Sequence, residues 1–342
     1  MMRSRDSGRR SAGGASIVEL MIAIALGMMV LTGVLLIFSN TRETRAEIER
    51  VSDRLENGRY ALEVLGQDLQ TASFYGEFQP TGALVFPLPD ACSVDPLTWE
   101  AAMLLPVQGF NSVTGYPSCL PASRMAGSDA ITVRRARGCL AGAAGCDPVT
   151  PGEPYLQVSM CTGSPQRYVL AVSGSDPFAL TEKDCATPAA VRRYVVNTYF
   201  VSTDNGAGVS VPTLKKLELE NGAFREVALA EGVERLAFEY GIDTDNDGSA
   251  DRFTSDVDNF TYAGCGTCSP AANWSSVMAV RVYVLVRALA PSGGYIDTRT
   301  YTLGRDAAGN TVSVGPFNDA YRRSVYTTVV RLMNPSTRRE TP

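Results

Sequence analysis

Residues 13–38 read GGASIVELMIAIALGMMVLTGVLLIF, an apolar run whose single acid, Glu19, stands near its start. From 20 to 38 there is neither charge nor proline. Coiled as a helix at about 1.5 Å per residue, those positions span roughly 28 Å, close to a bilayer core, so a membrane helix is expected. Upstream, Arg3, Arg5, Arg9 and Arg10 outweigh Asp6, which keeps the short leader cytoplasmic while the bulk of the chain crosses. A secretory signal peptide carries its small-residue cleavage site after the apolar core. Here Gly13, Gly14, Ala15 and Ser16 precede it.

A basic leader, a glycine, then Ser-hydrophobic-hydrophobic-Glu and an apolar run resemble the type IV pilin signature. The resemblance implies that a prepilin peptidase cuts after Gly14, that Ala15 becomes a methylated N-terminus, and that the helix is retained. Phenylalanine is the usual residue where Ala15 stands. An ionisable side chain at the edge of a membrane span is costly unless paired. In the family Glu19 corresponds to the acid that pairs with a neighbouring subunit's N-terminal amine during assembly; the plainer alternative is an interfacial glutamate facing water. Residues 56–76, ENGRYALEVLGQDLQTASFYG, and 321–334, YRRSVYTTVVRLMN, are similar to the corresponding stretches of PilW-type minor pilins.

The chain has 342 residues, 45% hydrophobic and 20% charged, enough for a sizeable core. Its formal charge is −5; residues 1–14 carry four Arg and one Asp, net +3, so the remainder carries about −8. That balance argues against nucleic acid bound through a general basic surface. Histidine is absent, which excludes Ser-His and Cys-His catalysis and imidazole-ligated zinc. With no arrangement of base, nucleophile and polarised carbonyl in view, no enzymatic activity is expected.

The eight cysteines, Cys92, Cys119, Cys139, Cys146, Cys161, Cys185, Cys265 and Cys268, all follow the apolar run. An even count beyond a bacterial-type anchor fits disulfides in an oxidising periplasm, with connectivity left open among the many pairings. Cys265 and Cys268 form a CxxC followed by Ser269 and Pro270 in a loop-like stretch. A local structural disulfide suits that setting, beside the alternatives of pairing elsewhere or redox and metal chemistry.

Past the apolar run, Ile48, Val51, Leu55, Gly58, Leu62, Leu65, Leu69 and Ala72 alternate steps of three and four, the spacing of one helix face. One helix is expected to run from the membrane into a globular domain, with Gly27 and Gly33 as weak points. Residues 77–190 are rich in Gly, Pro, Ala and Cys, with short strand-like runs at 131–135, 155–158 and 168–172. They read as a loop-rich insertion held by disulfides. The trio Arg134, Arg135 and Arg137 reads as a solvated strand edge, with an anion site as the alternative. Beyond, runs at 194–201, 214–220, 224–229, 236–240, 277–288 and 321–332 have β composition, and Asn221-Gly222 signals a hairpin. The expected fold is α+β and type IV pilin-like: a long N-terminal helix packed on an antiparallel sheet. Its parts are a cleaved leader (1–14), a membrane segment (15–38), an amphipathic segment (39–76), the insertion (77–190) and a β domain (191–342).

Within that domain lies DTDNDGSAD, residues 243–251. Asp243, Asp245 and Asp247, a backbone carbonyl at Ser249 and Asp251 reproduce the first nine positions of an oxygen-ligand calcium loop, with Gly248 at the tight turn. The glutamate that closes an EF-hand is replaced by Thr254, so Asp256 and Asp258 stand as extra ligand candidates. Crowded carboxylates favour a cation, here structural calcium, although Asp-Asn-Asp-Gly is also good turn chemistry.

The expected function is that of a minor pilin which joins other minor pilins to prime and cap a type IV pilus, in adhesion, twitching motility or DNA uptake. The implied partners are those minor pilins, the major pilin, a tip adhesin, the prepilin peptidase and the inner-membrane assembly platform. The implied location is the inner membrane, with the C-terminal domain in the periplasm, and then the pilus. The alternatives are a minor pseudopilin of a type II secretion system and a membrane-anchored calcium-dependent binding module.

Overall fold

A computed structural model of the chain describes residues 16–82, 84, 87–174, 177–266 and 268–340. Gly14 and Ala15 lie outside them. The chain divides into two compact units, Met1–Val51 and Ser52–Pro342.

The first unit is helical from Ile17 onward, as part of α1 (Ile17–Gln70). Its apolar side chains are bare, Ile17 at 77% and Met29 at 74% exposure. The Thr32 and Thr41 hydroxyls donate to the carbonyls of Met28 and Ile37, one turn back, so these two side chains are satisfied inside the helix. Gly27 and Gly33 sit in unbroken helix.

In the second unit the remainder of α1 supplies the core stripe. Gly58, Ala61, Leu65, Leu69 and the following Ala72 are buried, whereas Leu55 is exposed. The sheet therefore covers the expected stripe from Gly58 onward.

The chain continues through α2 (Pro96–Ala102), β1 (Val107–Phe110), β2 (Ala130–Ala136), β3 (Pro154–Val158), β4 (Tyr168–Val172) and β5 (Val191–Ser202). Next come β6 (Thr213–Glu220), β7 (Ala223–Glu231), β8 (Val233–Ile242), β9 (Arg252–Thr254) and α3 (Pro270–Ser275). Last are β10 (Val277–Arg287), β11 (Tyr301–Arg305), β12 (Thr311–Val314), β13 (Arg323–Arg331) and α4 (Met333–Arg339). Every strand pairing is antiparallel. A seven-stranded sheet runs β1-β2-β5-β3-β4, with β6 on β5 and β7 on β6; a four-stranded sheet runs β13-β10-β8-β9. The β6–β7 turn is Asn221-Gly222, with φ of 50° and 70°, the left-handed pair that a type I′ hairpin requires.

Two expectations are corrected here. Residues 77–190 are more than a loop-rich insertion: β1 to β4 come from them and pair directly or through one another to β5. Their turns are closed by Cys92–Cys119, Cys139–Cys146 and Cys161–Cys185. The first and third span 27 and 24 positions, and closing loops of that length in the unfolded chain is worth about 3–4 kcal/mol each. The fourth bridge, Cys265–Cys268, closes the CxxC locally. Second, Arg134 and Arg135 are not a solvated edge. Strand β2 lies between β1 and β5; Arg134 is buried, and Arg135 ion-pairs with the buried Asp68. Arg137, past the strand's end, pairs with the exposed Asp147.

Strand β13 runs along α1. Gly58 faces Tyr326, whose ring would lie 2.4 Å from an added Cβ, and Gly66 faces Val330. Eight helical residues rise about 12 Å and four strand residues about 13 Å, so the two repeats stay in step. The Tyr326 hydroxyl donates to the Arg54 carbonyl, and Asn334 Nδ2 to that of Ala72.

Asp129 opens β2 on a carboxylate folded under β8, where it accepts the Phe238 amide. Burial, partly countered by that bond, raises its pKa from 3.8 to about 7. The folded protein thus holds this proton where the unfolded chain has lost it, so stability falls as pH rises between about 4 and 7, by at most about 4 kcal/mol. Asp129→Asn should flatten this slope and raise the unfolding midpoint at pH 7.5, as read by urea titration across the range. An unchanged slope would refute the assignment.

Candidate functional site

Two features stand apart from the packed core. The first is the apolar helical stretch of the first unit. It is long and apolar enough to cross a membrane by length and composition, and none of its most apolar window is buried. Glu19 lies in the first turn of α1, where the helix dipole favours an acid. At the other end of the stretch the Arg42 guanidinium lies 4.2 Å over the Phe38 ring, an amphipathic boundary where an arginine stem covers apolar surface. An exposed greasy face of this length is unstable in water and must be covered by lipid or by other helices.

The second feature is the acidic loop between β8 and β9. Asp243, Asp245 and Asp247 each bring a carboxylate oxygen within 4.8 Å of the others. Asp243 is buried at the end of β8, and its two oxygens accept the amides of Asn246 and Gly248. Gly248 has φ of +86°, and a Cβ there would lie 2.6 Å from the Ser336 carbonyl. Only glycine allows the loop to turn this tightly against α4.

The remaining sequence-identified residues are placed differently. Asp251 accepts both the amide and the hydroxyl of Thr244, which closes the loop's base and lowers its pKa. Asp256 accepts from Asn259, and Asp258 accepts the Trp274 indole N–H at 2.7 Å. Ser249 donates its amide to Asp247. Asp245 has a raised pKa, from desolvation and then from the charges of Asp247, Asp251 and Asp243. Missing from the sequence reading was Arg339: its guanidinium meets Asp243 Oδ2 at 2.9 Å and also donates to Ser275 O and Ser276 Oγ. One positive charge thus already stands beside the loop, supplied from 96 positions away.

Residues 198–334 match the family model for Type IV Pilus-assembly protein W. The match supports a type IV pilus-related family and involvement in type IV pilus assembly. It runs from within β5 into α4, so the acidic loop and the four-stranded sheet lie inside it, while α1 and β1 to β4 precede it. No curated protein matches, nor does any solved structure.

Proposed function

We propose that this chain is a minor pilin, anchored in the bacterial inner membrane by α1 with its second unit in the periplasm, that joins other minor pilins to initiate and cap a type IV pilus. The observation that carries the reading is a fully exposed apolar helical stretch on the same chain as a β domain matching a pilus-assembly family. In this reading the prepilin peptidase cuts after Gly14, Ala15 is methylated, and Glu19 pairs with the amine of an adjacent subunit. The major pilin, a tip adhesin and the inner-membrane platform are its further partners, and its role is structural, without catalysis.

Mass spectrometry of the mature chain is expected to find N-methylated Ala15. Glu19→Ala should insert normally yet reduce surface pili at least several-fold; cleavage downstream of Phe38, or normal pili in a deletion strain, would overturn the assignment. A neighbourhood of secretion-system genes would move the protein to the pseudopilin class.

The three convergent carboxylates suit a hard, oxygen-loving cation, and we propose calcium as a structural ligand of the acidic loop. Its chemistry would be charge neutralisation alone. Millimolar calcium should raise the thermal midpoint by a few degrees and chelator should reverse this, with the rise lost in Asp245→Asn. A midpoint indifferent to both would leave the loop a hydrogen-bonded turn neutralised by Arg339.

A further inference from the structure

Across β2, β5 and β3 three polar residues stand in one row. The Arg137 amide donates to the Arg193 carbonyl at 2.8 Å, one position beyond the Ala136–Tyr194 pair, so the two arginines oppose each other and project from the same face. On the other side of β5, Arg193 opposes Tyr155. Adjacent strands lie about 4.8 Å apart, which gathers two guanidinium stems and a phenol ring along one cavity of about 490 Å³. The cavity is also lined by the Cys139–Cys146 bridge, Asp147 and Thr150. Its volume is that of a small-molecule site.

Two like charges placed directly opposite each other weaken a sheet, and each is met here by a carboxylate of different character. Glu153 is 4% exposed and accepts Arg193 Nη2 at 2.7 Å and the Asn221 amide at 3.2 Å, so it belongs to the fold. Asp147 accepts from Arg137 Nη1 while its side chain is 71% exposed and that of Arg137 42%. An ion pair so open to water contributes little stability, and its carboxylate is readily exchanged for another. Each arginine uses one nitrogen in these pairs. Their remaining guanidinium N–H groups are unbonded and not enclosed by protein, and both residues line the cavity.

We propose that this cavity binds a small hydroxylated carboxylic acid of the sugar-acid class. The ligand's carboxylate replaces that of Asp147 on Arg137 and meets the open edge of Arg193, a planar match for guanidinium donors. Asp147 already seats a carboxylate on Arg137 and so stands in for the ligand. With Arg137, Arg193, Asp147 and Glu153 the surroundings carry equal positive and negative charge, so one carboxylate exchanged for another is tolerated, whereas a phosphate dianion is left undercompensated. The Thr150 hydroxyl and the released Asp147 oxygens are partners for the ligand's hydroxyls.

The test is calorimetric titration of the full chain in detergent, at pH 7.5 and constant ionic strength, with glucuronate, glucose and inorganic phosphate. Glucuronate should bind saturably, with glucose and phosphate each weaker by about ten-fold or more. Arg137→Gln, at a half-exposed position, and Arg193→Gln should each weaken glucuronate by about five-fold or more. Asp147→Asn should act in the opposite direction and tighten binding roughly two-fold or more, because it removes the internal competitor. A carboxylate that only neutralised Arg137 would not give that sign. Should Arg193→Gln not fold, the other two variants decide. No saturable heat with glucuronate, equal binding of glucose or phosphate, or unchanged affinity in Arg137→Gln or Asp147→Asn would each overturn the proposal. None of these outcomes depends on membrane anchoring or pilus formation, so failure here leaves that reading standing.

Discussion

Asp68→Ala should lower the unfolding free energy by about 3–5 kcal/mol, the cost of removing one partner from a buried ion pair, measured by urea titration of the full chain in detergent. The expectation comes from how completely this carboxylate is used. Asp68 is 5% exposed, near the end of α1, and accepts from Arg135 Nε at 2.6 Å, Asn197 Nδ2 at 2.7 Å and the Tyr199 hydroxyl at 2.8 Å. Without it, a guanidinium and two other donors are left inside the interface between helix and sheet. Burial, and then the neighbouring Asp68 carboxylate, raise the Tyr199 pKa well above normal, so the phenol keeps the proton it donates. Asp68→Asn should lose less, because it keeps the shape and one acceptor. A double-mutant cycle with Arg135→Met should return a coupling of about 0.5–3 kcal/mol. Losses under about 1 kcal/mol in Asp68→Ala would mean that apolar packing alone seats the helix.

Arg323→Met is expected to cost a similar amount, with an unusual pH dependence. Arg323 is 1% exposed at the start of β13 and meets Glu234 at 2.5 Å, Asp319 at 2.7 Å and Asp297 at 3.1 Å, while its guanidinium stacks 3.8 Å from the Phe317 ring. Removing it leaves three carboxylates facing one another, one of them, Asp297, fully buried, with Arg299 Nε at 3.3 Å from Asp297 as a remaining counter-charge. In the native protein burial pushes the Asp297 pKa up, but hydrogen bonds from Tyr301, Tyr295 and Arg323 outweigh it and hold the pKa below normal. A depressed carboxylate adds stability that is present above its unfolded pKa and lost as pH falls. In the variant the balance reverses: protonation relieves the repulsion, so the deficit relative to wild type should shrink between pH 7.5 and about 4.5. A deficit constant over that range would show the three acids to be screened by water.

Much of this architecture is legible in the sequence, and the parts that are not share a cause. The apolar run, the stripe from Gly58 to Ala72, the Asn221-Gly222 hairpin and the long β runs all follow from local periodicity and turn chemistry. The short elements β1, β9, β11 and β12 carry too few residues to show a period, and their strand state is imposed by neighbours. The arginines of β2 mislead for a related reason. Three Arg in four positions look like surface until Asp68 and Gln108, 67 and 26 positions away, are brought to them by the fold. Arg339 at the acidic loop escapes notice in the same way. A cysteine pairing also becomes definite only once the turns that bring the partners together exist.

The parallel course of β13 and α1 has a mechanical meaning. Tyr326 against Gly58, Val330 against Gly66 and Asn334 against Ala72 are rungs between the first helix and the final segment of the chain. Tension applied along the α1 axis would load these rungs side by side, so they would have to give way together instead of unzipping one at a time. A chain hauled on from one end of that helix gains resistance to being unravelled from that geometry alone.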